Sequence, residues 1–203
     1  MTHFTSRQRL ASLIILTIIT AIGSPQVRAS EAEWVTRSNE YAQPALTAMA
    51  RFSPEAAGSY GVDGVDENVR RIGSDAIEQQ NAAYQALAEH YRQEIIAEED
   101  LRIEYDLRIL ISALEDSIES QNINQQHMLP YYDPAAIVFS GIRALMDPQV
   151  AEERKPAAIT RLNRYAGLED GYTPISDAAI AMTTDAMANA GLVGPFGPQM
   201  TVT

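Results

Sequence analysis

Apolar positions recur along most of this chain at the spacing of helices. From Glu33 to Phe52 they fall at Trp34, Tyr41, Ala45, Ala48 and Phe52. Steps of seven, four, three and four keep such residues on one face of a helix. Pro44 lies inside that stretch, and Gln43 before it is pushed away from the α region, so a kink or short break is expected there. Ser53-Pro54 is a start signal, with Ser at the N-cap and Pro at the first helical position. Only about a turn can follow before Gly58, and the loop then runs through Gly61 and Gly64 to about Gly73.

Residues 74–126 contain neither Gly nor Pro, and the phase of the apolar stripe divides them. At about 100° per residue, with Ile77 at zero, Tyr84, Leu87, Tyr91 and Ile95 cluster near its direction. Ile103, Leu107, Leu110, Leu114 and Ile118 cluster roughly 130° away. One straight helix cannot turn both stripes to one core. The pattern predicts two helices, 74–98 and 100–121, joined at Glu98-Glu99-Asp100 as an antiparallel hairpin. Glu104 and Arg108 form an i,i+4 pair on the second.

Residues 122–130 read as a polar linker. Asp133-Pro134 opens a helix to Met146, Lys155-Pro156 opens one to Tyr165 ended by Gly167, and Ile175-Ser176-Asp177 opens one to Asn189. About seven helices and no convincing strand give an all-α class: an antiparallel helical hairpin with shorter helices packed around it. No fixed-period repeat suggests a solenoid.

The N-terminus follows a different rule. Arg7 and Arg9 precede an apolar run from Leu10 to Ile22, and Val27-Arg28-Ala29 puts small residues where a signal peptidase cuts. The run spans 13 residues (10 to 22), short of the roughly 20 that cross a bilayer. The expectation is a signal peptide over 1–29, a helical domain over 30–191, a flexible tail over 192–203, and a periplasmic or secreted product with no membrane attachment after cleavage. The chain has no cysteine, so a lipid anchor, a disulfide framework, thiolate catalysis and Cys-ligated zinc are all excluded.

Removing residues 1–29 leaves 174 residues (203 less 29), with 12 basic (15 less Arg7, Arg9 and Arg28) against 27 acidic side chains. Such a charge opposes phosphate backbones, so no nucleic-acid partner is expected.

The glycine-rich stretch 52–67 is the first candidate for chemistry. Asp63, Asp66 and Glu67 lack the 1, 3, 5, 12 spacing of a calcium loop. The stretch also lacks the G-K-[ST] ending of a phosphate loop. Beyond the leader only His90 and His127 remain, without a second histidine at ligand spacing and without a nucleophile elbow nearby. No catalytic, cofactor-binding or metal residue is assigned. Tyr60, Asp63 and Asp66 mark a loop that could face a substrate. Arg154, Arg161 and Arg164, with Lys155, form a basic cluster against the overall charge. It would suit an acidic partner, or else balance its own acidic neighbours.

Four stretches extend this further: ARFSPEAAGSYGVDGVDE, LRIEYDLRILISALE, LPYYDPAAIVFSGIRALMDPQV and RKPAAITRLNRYAGLEDGYTPI. Together they resemble the N-terminal part of the bacterial domain-of-unknown-function 885 proteins. These are exported, largely helical and similar to zincin metallopeptidases. The resemblance implies an N-terminal helical region of such a protein, ending before the family's H-E-x-x-H-like zinc helix. It implies no cofactor in this chain, with zinc only in a full-length relative, and no hydrolase activity from these residues. The implied partner is the missing C-terminal half of the same protein, or a peptide. The alternative is a self-standing periplasmic helical binding or scaffold module.

Overall fold

A computed structural model describes residues 32–188 and 191–193. The signal peptide assigned to 1–29, and 194–203 of the tail, lie outside the described residues. Seven α-helices account for the architecture: α1 (Glu33–Phe52), α2 (Pro54–Ser59), α3 (Ser74–Ala97), α4 (Leu101–His127), α5 (Pro134–Met146), α6 (Ala157–Tyr165) and α7 (Ile175–Met187). A 3₁₀ turn at Glu152–Arg154 precedes α6. The described residues contain no strand. A lone parallel bridge ties Met128 to Val193.

The stripe that shifts phase between Ala97 and Arg102 produces the expected hairpin. Tyr84, Ala88 and Tyr91 of α3 bury against Ile103, Leu107, Ile111 and Leu114 of α4. The bond from Asn81 to Asn122 and the ion pair from Arg92 to Glu115 run the helices antiparallel. Asp100 caps α4 by accepting the Arg102 backbone N–H at 3.0 Å. Glu104 and Arg108 pair at 2.7 Å.

α1 lies along both hairpin helices. Trp34, Tyr41, Ala48 and Phe52 meet the core. Polar anchors fix its register: Arg37 to Glu98 at 2.5 Å, Ser38 to Asp106 at 2.5 Å, and the Tyr91 hydroxyl to the Tyr41 carbonyl at 2.6 Å. Burying this apolar surface is the main stabilising force in the hairpin layer.

Three expectations need correction. α1 runs unbroken through Pro44. Pro44 and Glu40 are both exposed, so water can serve the Glu40 carbonyl that Pro44 cannot reach. Second, 122–127 is not linker: α4 continues to His127 before an extended residue at Met128. Asn and Gln do not by themselves stop a helix, and Asn122 is held by Asn81. Third, the Ser53 side chain makes no capping bond, and Pro54 at the first position starts α2.

Outside that cluster Ala57, Val65, Leu145, Ala158, Tyr165, Ile175 and Ala179 are also buried, where α5 packs on α2, α6 and α7. Gly167, with φ +70°, ends α6 as a C′ glycine. No helix among the described residues is long and apolar enough to cross a membrane.

Candidate functional site

The glycine loop and the basic cluster come together. Gly61 (φ +85°) and Gly64 (φ +76°) adopt backbone that other residues resist, and a side chain at either would meet open space. These glycines therefore serve the turn itself. They bring 65–68 back beside the 3₁₀ turn and α6, where three arginines take hold.

Arg154 forks onto Asp66, with Nε and Nη2 each 2.7 Å from a carboxylate oxygen, and Nη2 also reaches the Gly58 carbonyl at 3.3 Å. Arg161 is 1% exposed; its Nη1 donates to the Gly141 carbonyl at 2.9 Å and its Nη2 to the Val65 carbonyl at 3.1 Å. Its Nε has no hydrogen-bond partner among the described residues. Arg164 donates to the Glu67 carbonyl at 2.9 Å, to Asn68 at 3.1 Å and to Glu169 at 2.8 Å. The hydrogen bond and charge of Arg154 hold the Asp66 carboxyl below the usual carboxylate range, against its partial burial.

Of the six residues singled out in sequence, the structure thus joins four: Asp66 with Arg154, and Arg161 and Arg164 with the loop backbone. Tyr60 is 73% exposed and Asp63 is exposed, so neither joins this clasp. The acidic segment that the arginines engage is the chain's own loop.

Beside the clasp lies a polar cluster with no obvious sequence mark. Glu55, in the first turn of α2, accepts the Tyr165 hydroxyl at 2.8 Å and the Arg70 backbone N–H at 3.0 Å. Arg70 Nε approaches the same carboxylate at 3.5 Å. Burial pushes the Tyr165 hydroxyl well above its ordinary range, and the charge and hydrogen bond of Glu55 push it further. Tyr165 is therefore a neutral donor, fixed in place. Glu55 reads in sequence as a first-turn acid, and Tyr165 as the last residue of an amphipathic helix. Only their 110-residue separation in the chain hides the pair.

Two cavities open at this cluster. One, of about 820 Å³, lies between the end of α1, the start of α3, the end of α4 and α7, and includes Arg70 and Tyr132 in its wall. The other, of about 480 Å³, lies between α2 and α5, with Glu55, Arg70 and Tyr132 in its wall. Among the described residues no group of three His, Cys, Asp or Glu side chains could hold a metal ion. Comparison of the chain with protein-family models, curated proteins and solved structures finds no match.

Proposed function

We propose that this chain is the N-terminal helical region of an exported metallopeptidase-like protein. In this reading it is a scaffold whose zinc-binding half lies elsewhere. The observation that carries the reading is the meeting of three of the four resembling stretches in one hydrogen-bonded unit. Residues 50–67, 129–150 and 154–175 are joined by Arg154 to Asp66, Arg161 to Gly141 and Val65, and Tyr165 to Glu55. Residues that mark the resemblance are thus used to build one architecture, as expected of a shared scaffold. Large apolar side chains left exposed on α5, α6 and α7 (Phe139, Met146, Ile159, Leu162, Ile180) also suit packing against further polypeptide.

A self-standing periplasmic module is the second reading. The closed α1–α3–α4 core favours it, because that layer buries its stripes without further help. Sequencing the DNA downstream of this reading frame separates the two. The first reading expects a continuation, in frame or shifted, that encodes an H-E-x-x-H helix. A downstream region without one favours the second.

A further inference from the structure

Arg70, Tyr131 and Tyr132 are shared by the walls of both cavities. Arg70 is the unusual member. Its Nε faces Glu55, but no acceptor among the described residues meets Nη1 or Nη2, although the side chain is only 35% exposed. Tyr132 is half-buried, and its hydroxyl makes no hydrogen bond among the described residues. Burial raises the Tyr132 hydroxyl above its ordinary pKa while the nearby Arg70 charge pulls it down, so at neutral pH it is a proton donor. A guanidinium edge and a phenol thus face one cavity with donors that reach solvent, free to meet an acceptor that a ligand brings.

The surroundings define that acceptor. Arg51 and Arg71 also line the larger cavity, against one carboxylate, Asp185. Arg71 is paired with Asp75 at 2.7 Å, so Arg51 and Arg70 carry the cationic character of this wall. Glu55 offsets part of the Arg70 charge, which disfavours a dianion such as phosphate. A planar group with one negative charge matches the two free edges of the fork. Phe52, Ile77, Met128 and Leu129 supply apolar wall beside it, and about 820 Å³ is the size of a small-molecule site.

We propose that the wall formed by Arg70 and Tyr132 binds a ligand carrying a single carboxylate on an apolar body. The carboxylate sits at the Arg70 fork and the body lies along Phe52, Ile77 and Met128. Such a carboxylate could be a free organic acid or the C-terminus of a polypeptide. The site does not depend on the chain belonging to a metallopeptidase.

Titration of the purified chain with 3-phenylpropionate, followed by isothermal calorimetry and by amide chemical shifts, tests this. Saturable binding is expected, with the neutral 3-phenylpropionamide and inorganic phosphate each weaker by about tenfold or more, the worth of a charge-assisted bidentate pair. Arg70→Gln should weaken binding by about tenfold or more, and Tyr132→Phe, which deletes a single hydroxyl, by about threefold or more. A capped tripeptide ending in Phe with a free carboxylate is the second arm. Tighter binding than 3-phenylpropionate identifies a polypeptide end as the source, and weaker binding a free acid. If Arg70→Gln loses its fold, Tyr132→Phe decides. The proposal is overturned by equal binding of acid and amide, by preference for phosphate, or by no shift at about 10 mM acid, where even a very weak site would respond. Unchanged affinity in folded Tyr132→Phe and Arg70→Gln also overturns it.

Discussion

Gly141 and Tyr165 meet where only hydrogen fits. A Cβ on Gly141 would overlap the Tyr165 hydroxyl oxygen and approach Cζ to 3.1 Å. The ring cannot swing aside without releasing Glu55. Gly141→Ala should therefore cost about 1 to 3 kcal/mol in urea unfolding. Tyr165→Phe in the same chain should recover part of that, which a double-mutant cycle would reveal as non-additivity. Arg161 makes a sharper case. Replacing it with Leu leaves the Gly141 and Val65 carbonyls without their donor, at a cost of about 3 kcal/mol in the same assay. An effect below about 0.5 kcal/mol, typical of a surface change, would mean the clasp does not hold the loop. Sequence revealed the basic cluster and the acidic loop but not that they were partners. Arg154 and Asp66 are separated by 88 residues, and spacing rules read only neighbours within a few turns. Arg70, Glu55 and Tyr132 were invisible for the same reason: each has an ordinary local role, and only packing brings them together.

Helices were the most legible level. The α3–α4 hairpin follows from a phase shift that can be calculated from Ile77 to Ile118, because burial of a stripe leaves one solution for two helices in sequence. Leu107→Ala, at a site with no exposure, should cost about 2 to 5 kcal/mol in chemical unfolding. Leu101→Ala, at 78% exposure on the same helix, should change stability by no more than about 0.5 kcal/mol. Helix ends were less legible. The α4 extension to His127 was hidden by its Asn and Gln content, and Pro44 was overridden by its place on the solvent face. The α4 cap gives a pH prediction. The side chain and backbone N–H of Arg102 hold the Asp100 carboxyl down to about 2. A depressed carboxyl contributes stability above its unfolded pKa, about 3.9, and loses it as pH falls through the folded value. Wild type should lose that contribution between roughly pH 4 and pH 2, and Asp100→Asn should remove this part of the acid slope. Identical acid slopes would contradict the cap.

At the scale of the whole molecule, two packed groups of helices border the larger cavity, while the smaller one lies between α2 and α5. One group is the α1–α3–α4 bundle. The other is the loop, α5, α6 and α7, held by arginines. The all-α class follows directly from helical periodicity. Function does not, because the residues that mark the resemblance are architectural ones. On the proposed reading this chain is scaffold, and any zinc chemistry belongs to other residues. Metal analysis of the purified chain, together with a peptidase assay under added zinc, tests it most directly. No stoichiometric zinc and no turnover above buffer are expected. One tightly held zinc per chain, with hydrolysis that a chelator abolishes, would contradict it.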